Sequence, residues 1–207
     1  MRRLLLAALA VVTFALPGQG ESDPDTDRGM RPGLPYRVEG LDQVNIFNGN
    51  LTLNVPLGQQ FNVNGTLSYQ FLASYATNPW ETGEHELTWP ESPDNFTYYY
   101  KYPARNQNGG LGWVVTLGQL FRDDNGKLHY MSPDGGEHRF HSTLHNGETS
   151  VSGISYTRDG TYLRYRLLGG GVGQVEFPNG NIHIFDSLGR LMRMQDPYGN
   201  WVKVHYT

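Results

Sequence analysis

Short runs in which apolar and polar residues alternate recur along most of the chain. Clear examples are residues 181–185 and 201–206, and similar runs follow Gly126, Gly135 and Gly160. Alternation with a period of two is the pattern of a β-strand buried on one face. No stretch after residue 20 shows convincing helical periodicity. The pattern therefore predicts an all-β protein built from antiparallel strand-turn-strand repeats.

A tight turn with glycine precedes each of these runs. The turns contain Asn-Gly or Asp-Gly at positions 125–126, 134–135, 159–160 and 179–180. Both dipeptides suit hairpin turns in which the two central residues have positive φ. Gly160, Gly180 and Gly199 lie about twenty residues apart, the spacing of one hairpin with two turns. Repeats this short need neighbours to bury their apolar face, which predicts a curved, spiralling sheet. A plain β-meander with ordinary turns is the alternative.

The N-terminus has the features of a secretory signal peptide over residues 1–20. Arg2 and Arg3 precede an apolar run over residues 4–16, and small residues follow it. The run is shorter than the roughly 20 apolar residues that span a bilayer. We therefore expect a secreted or cell-envelope protein of a bacterium, with no transmembrane helix after cleavage.

Three further regions follow from changes in composition. Residues 21–40 are acidic and rich in proline, so we expect a disordered linker. Residues 41–121 form an N-terminal β region, in which residues 76–110 are rich in proline and glutamate and are predicted to be a long loop insertion. Residues 122–207 contain the hairpin repeats. The chain ends directly after a repeat without a capping sequence, so we expect it to be part of a longer protein.

The last repeats carry a more specific pattern of residues. An aromatic-Asp pair is followed two residues later by Gly-Arg-Leu, then by an Asp-x-x-Gly-Asn turn and a closing aromatic. This arrangement resembles the RHS/YD repeat family, with phenylalanine where the family usually has tyrosine. The resemblance covers about residues 40–207. The residues that carry it are Phe185, Asp186, Gly189, Arg190, Leu191, Asp196, Gly199, Asn200 and Tyr206.

The resemblance implies a sheet of the YD-shell type, which spirals into a hollow shell. Some members of the family enclose a toxin, and others act at the cell surface in adhesion or carbohydrate contact. The self-cleaving motif that follows the repeats in many members is not found in this sequence. We therefore expect a non-catalytic scaffold segment. Its partners would be further RHS repeats of the same or a longer polypeptide, a toxin cargo or a cell-surface glycan.

Composition and charge exclude several other classes of function. The 207 residues include 26 glycines, 13% are aromatic and 17% are charged, which is typical of a turn-rich all-β protein. The formal net charge of −4 argues against a nucleic-acid binder, which would show a basic stripe. The chain has no cysteine, so disulfides and thiolate chemistry are excluded.

Metal ligands and nucleophiles have weaker support in the sequence. His138, His141 and His145 would share one face of a helix. In a strand, however, the first two lie on opposite faces, and we expect exposed polar side chains near a turn. Asp186 and Asp196 are candidates for calcium binding or for capping their own turns, and capping is favoured. No Gly-x-Ser-x-Gly elbow occurs, so no catalytic residue, metal or cofactor is expected.

The 80–102 segment offers an alternative function, a carbohydrate-binding module at the cell surface. Flat aromatic rings offer a sugar an apolar face, and packing onto the sheet is their other use. The predicted glycan contacts are Trp80, Trp89, Tyr98 and Tyr100. A hydrolase of envelope polysaccharide is the third hypothesis. It would need two carboxylates roughly 5–10 Å apart, and the available acids are Glu84, Glu86 and Glu91.

Overall fold

The computed structural model describes residues 36–39, 41–45, 49–64, 67–88, 95–104 and 107–207. Within these ranges the chain forms eighteen β-strands and one short 3-10 turn at Gly169–Gly171, with no α-helix. The predicted all-β fold with antiparallel strands and a curved sheet is confirmed. The predicted signal peptide lies outside the described residues.

The N-terminal part of the chain contributes nine strands. Their bounds are β1 Tyr36–Glu39, β2 Asp42–Asn45, β3 Leu51–Pro56, β4 Phe61–Asn64, β5 Leu67–Tyr69, β6 Leu72–Ala76, β7 Trp80–Thr88, β8 Asn95–Pro103 and β9 Trp113–Thr116. Five of them form an antiparallel sheet in the order β1-β2-β3-β6-β9. The other four form two separate hairpins, β4–β5 and β7–β8.

Two predictions for this part of the chain differ from the structure. Residues 36–39 were predicted to belong to a disordered linker, yet they form β1, because pairing with β2 supplies partners for their backbone groups. The rest of that linker lies outside the described residues. The predicted 76–110 loop contains β7 and β8, which pair along nine residues each. Strand-forming tyrosines and threonines outweigh the prolines, since Pro79 and Pro103 lie at the hairpin base, where a missing N–H is tolerated.

The second sheet contains nine strands in sequence order, each antiparallel to the next. Their bounds are β10 Gln119–Arg122, β11 Leu128–Met131, β12 Glu137–His141, β13 Ile154–Thr157, β14 Arg164–Leu167, β15 Gly173–Glu176, β16 Ile182–Phe185, β17 Leu191–Gln195 and β18 Trp201–Lys203. The sheet curls strongly into a half-barrel. It begins at Gln119, a few residues before the predicted boundary at 121–122.

A backbone contact between the first strand and a late turn closes this curl. The N–H of Leu120 on β10 donates to the carbonyl of Gly189 at 2.9 Å, and Gln119 pairs with Arg190 beside it. A Cβ atom on Gly189 would lie 1.9 Å from the Leu120 carbonyl oxygen. Only glycine fits there, so the β16–β17 turn can approach β10 because residue 189 has no side chain.

The core lies inside the curl of the nine-stranded sheet. Tyr130, Val175, Phe185 and Leu191 are almost completely buried there, and Val175, Phe185 and Leu191 alternate with more exposed residues along their strands. Leu67 of the β4–β5 hairpin joins the same cluster with 3% of its surface exposed. The N-terminal part of the chain therefore contributes directly to the core of the second sheet.

Candidate functional site

One five-residue turn is repeated between strands of the nine-stranded sheet. The first residue's N–H donates to the fifth carbonyl, and the fourth residue's N–H donates to the first carbonyl, at 2.9–3.2 Å. The fourth residue is always glycine, with φ between +72° and +89°. This turn occurs at 123–127, 132–136, 177–181, 186–190 and 196–200.

The turn type differs from the one that the Asn-Gly and Asp-Gly dipeptides predict. Asn125, Asp134 and Asn179 precede the turn glycines but do not have positive φ, which among the described non-glycine residues occurs only at Tyr162. The geometry is that of a three-residue loop, in which a type I turn precedes a glycine bulge. Compared with a two-residue hairpin loop, the third loop residue allows an aspartate at the first position of the turn to accept backbone N–H groups of the turn.

The capping aspartates occupy the first position of three of these turns. Oδ1 of Asp123, Asp186 and Asp196 accepts the N–H of the fifth residue at 2.7–2.9 Å. Asp196 has no exposed surface, and its Oδ2 accepts from the Asn200 side chain at 2.7 Å. Burial by itself would raise the pKa of Asp196, but the hydrogen bonds from Asn200 and the turn backbone lower it. Both oxygens face N–H donors, which supports capping rather than calcium binding.

Several residues of the aromatic-Asp and Gly-Arg-Leu pattern contact one another around the 186–190 turn, whereas Asp196, Gly199 and Asn200 form the separate 196–200 turn. Nε of Arg190 donates to Oδ2 of Asp186 at 2.8 Å, and its guanidinium lies 5.0 Å from the centre of the Tyr206 ring. The Tyr206 hydroxyl donates to the Leu191 carbonyl at 3.0 Å. Phe185 and Leu191 are partners in the register of β16 and β17, and both side chains are buried in the core. Each residue of the pattern therefore fixes a turn, a strand or the closing contact.

A ladder of tyrosines follows one face of β8. Tyr98, Tyr100 and Tyr102 alternate along the strand, and successive ring centres lie 5.8 Å apart. Tyr98 and Tyr100 are 48% and 45% exposed. Gly83 is opposite Tyr100, and a Cβ there would lie 2.6 Å from the ring, so the ring covers the glycine. The ladder therefore offers a row of exposed rings, in which the Tyr100 ring packs against the backbone at Gly83.

The other predicted members of this segment are more scattered. Trp80 is 40% exposed at the base of the hairpin, where it pairs with Pro103. Trp89 and Glu91 lie outside the described residues, and Glu84 and Glu86 belong to β7. Of the predicted glycan contacts, Tyr98 and Tyr100 are therefore brought together, with Tyr102 as a neighbour that the prediction did not include.

A serine, a histidine and an aspartate meet in the nine-stranded sheet, and sequence analysis did not connect them. Nδ1 of His138 lies 2.7 Å from Oδ2 of Asp159, and Nε2 lies 3.3 Å from Oγ of Ser132. His138 is only 4% exposed, so the prediction of an exposed side chain is wrong for this residue. His141 and His145 take no part in this network. No sequence motif marks it, because two turns of the meander bring the three residues together.

The serine in this network is held as a turn residue. Its hydroxyl has a closer acceptor than His138, the carboxylate of Asp134, and it also lies 3.2 Å from the Gly136 carbonyl. A hydroxyl has one proton, so donation to Asp134 competes with donation to the imidazole that nucleophilic catalysis requires. Burial by itself would raise the pKa of Asp159, but hydrogen bonds and charge from His138, followed by Thr161, lower it to about 2. The arrangement stabilises the 132–136 and 158–163 turns.

Comparison with known proteins gave no matching family model, no similar curated protein and no similar solved structure. Among the described residues, no helix is long and apolar enough to cross a membrane, and no group of three or more acidic or histidine side chains is arranged to hold a metal ion. The functional interpretation therefore depends on the geometry of the chain itself.

Proposed function

We propose that this protein is a structural scaffold, an exported β-repeat segment of the RHS/YD type without catalytic activity. The observation that carries the proposal is the same five-residue turn, found five times in one nine-stranded meander. The residues of the RHS/YD pattern have structural roles in this sheet. Gly189 allows the closing contact, Asp196 caps a turn, and Phe185 and Leu191 fill the core.

The edge of the nine-stranded sheet supports a role in a larger shell. Among the described strands, β18 pairs only with β17. Val204 donates to the Met192 carbonyl, so the N–H of Lys203, one residue earlier, faces the open edge. An open edge pairs readily with another strand. The partner that we propose is a further repeat of the same or a longer polypeptide, and the shell would enclose a toxin cargo or contact a cell surface.

Self-association through this edge tests the scaffold proposal. We expect the purified chain to form concentration-dependent oligomers in analytical ultracentrifugation. Lys203→Pro removes the outward N–H without affecting the β17 ladder, and we expect it to reduce association strongly. Lys203→Ala is the matched control and keeps the N–H. A wild-type chain that stays monomeric at every concentration would count against the proposal.

A second candidate function, carbohydrate binding at a cell surface, is favoured by the tyrosine ladder. Exposed rings in a row offer apolar faces to successive residues of a neutral sugar chain, while their hydroxyls donate to sugar oxygens. Tyr99, on the opposite face of β8, is 68% exposed and provides an internal control. We expect neutral glucans to retard the protein in affinity electrophoresis and Tyr98→Ala with Tyr100→Ala to abolish this effect. Equal loss with Tyr99→Ala would contradict it.

A further inference from the structure

We infer that the outer face of β14–β18 binds an acidic polysaccharide. This inference is independent of the scaffold proposal and concerns a different surface from the tyrosine ladder. Strand alternation defines the face, since Tyr165, Val175 and Met194 point into the core and their neighbours point outward. The basic face, as we name it, consists of Arg164, Arg166, Arg193, Lys203 and the indole of Trp201.

The strand register places these cations at the two ends of one row, Arg164 and Arg166 on β14 and Arg193 and Lys203 on β17 and β18. Arg166 pairs with Gln174, which pairs with Ile184, and Ile184 pairs with Arg193. Arg193 then pairs with Lys203 on β18. Four strand spacings separate β14 from β18, a distance of about 19 Å. The row is therefore long enough to contact several successive sugar residues.

Positive charge is in excess on this face, although the whole chain has a formal net charge of −4. The outward strand residues of β14–β18 include four cations and one carboxylate, Glu176. Glu176 is shared by Arg164, whose Nε donates to Oε2 at 2.5 Å, and by Arg166, whose Nε lies 2.8 Å from Oε1. One carboxylate thus holds two guanidiniums in place and neutralises only one of their charges.

Arg193 and Lys203 form a like-charge pair across neighbouring strands. Opposed like charges destabilise a sheet, and Nε of Arg193 is shielded from solvent without a hydrogen-bond partner. An anion between these two side chains would relieve their repulsion. Guanidinium groups bind carboxylates and phosphates in a bidentate geometry, so a planar or tetrahedral oxyanion fits this pair, and a carboxylate is the one that a sugar polymer supplies.

Trp201 adds an apolar surface beside the charged pair. It lies two residues before Lys203 on the same face of β18, and it is 54% exposed. A flat ring beside two cations matches a sugar that has both an apolar face and a carboxylate. A nucleic acid is a poorer match, because its phosphate charge is denser than four cations spread over about 19 Å, with Glu176 among them, would complement. The combination favours a uronic acid polymer.

Binding to polygalacturonate at low and high salt tests this inference, with neutral dextran as the reference polymer. We expect the wild-type protein to bind polygalacturonate at low salt and to release it as salt screens the charges. Arg193→Gln with Lys203→Gln should weaken binding about tenfold, since exposed charge pairs contribute modestly. Lys127→Gln, an exposed cation in the β10–β11 turn, is the control and should leave binding unchanged.

The test is specific because one variant should strengthen polysaccharide binding while another should weaken it. Glu176→Gln removes the only carboxylate of the face and should strengthen binding about threefold, whereas a merely structural role would not produce a gain. Trp201→Ala should weaken binding and Trp201→Phe should restore it. Circular dichroism of each variant checks folding. No binding at low salt, equal weakening by Lys127→Gln, or tighter binding to single-stranded DNA would overturn the inference.

Discussion

Glycine is required at the fourth position of the repeated turn for two different reasons. At Gly199 the reason is the backbone conformation, because φ is +89° and a Cβ atom would have no neighbour within 4 Å. At Gly189 the same conformation is combined with the close approach of the Leu120 carbonyl. The two positions have the same role in the turn motif and differ in tertiary contact, so a pair of alanine variants separates the two effects.

We expect Gly199→Ala to lower the free energy of unfolding by about 1–2 kcal/mol, the cost of left-handed backbone for an L-residue. Gly189→Ala should cost more, about 3 kcal/mol or above, because the turn must also move away from β10. Urea denaturation of both variants measures the difference. Equal losses would mean that the closing contact between Leu120 and Gly189 contributes little to stability.

We expect His183 to make the stability of the sheet depend on pH. Burial among aromatic rings lowers the pKa of His183 to about 4, and its Nδ1 has no hydrogen-bond partner. The unfolded chain has the ordinary value of about 6.5. The unfolded state therefore binds more protons between these values, and stability falls as pH drops from about 6.5 towards 4. The loss attributable to this side chain approaches about 3 kcal/mol.

Thermal unfolding as a function of pH measures this effect. We expect His183→Phe to flatten the profile between pH 6.5 and pH 4, because the ring stays apolar and no longer titrates. His145→Gln removes an exposed histidine and should leave the profile unchanged. A His183→Phe profile with the same slope as the wild type would show that other groups cause the pH dependence.

Strands and turns were predictable wherever the signal was local. Alternation and glycine turns indicated the β10–β18 meander, and antiparallel order places the turns that contain Gly160, Gly180 and Gly199 at the same end of the sheet. The β7–β8 hairpin was not predictable in the same way, because its prolines and glutamates are also typical of a loop. The Leu120–Gly189 contact and the Ser132–His138–Asp159 network were also missed, because residues distant in sequence meet there only after the sheet has folded.

The β7–β8 hairpin offers a test of the tyrosine ladder as an element. Gly83→Val places a side chain where the Tyr100 ring lies, so we expect the ring to be displaced and the near-ultraviolet circular dichroism of the tyrosines to change. The hairpin forms its own two-stranded sheet, and the free energy of unfolding should change by only about 0.5 kcal/mol. Thr82→Val, at the neighbouring exposed position, is the control and should leave the spectrum unchanged.

The two halves of the described chain share one core through Leu67. This residue is contributed by the β4–β5 hairpin, yet its side chain is buried in the cluster that includes Tyr130, Phe185 and Met194. A second contact joins the sheets, where Oγ of Ser74, which donates to Oδ1 of Asn54 at 2.6 Å, lies 3.1 Å from the Pro133 carbonyl oxygen. Because these contacts cross between sheets, the halves are expected to unfold together rather than as independent units.

Leu67→Ala tests this coupling across the whole molecule. Removal of a buried leucine leaves a cavity and should cost about 3 kcal/mol. Phe61→Ala, on the same hairpin but 42% exposed, should cost much less.

Hydrogen exchange then shows which strands lose amide protection. If the core is shared, Leu67→Ala reduces protection in β11, β16 and β17 as well as in the hairpin, because global unfolding becomes easier. Reduced protection confined to β4 and β5 would mean that the hairpin opens alone and that the nine-stranded sheet is stable without it.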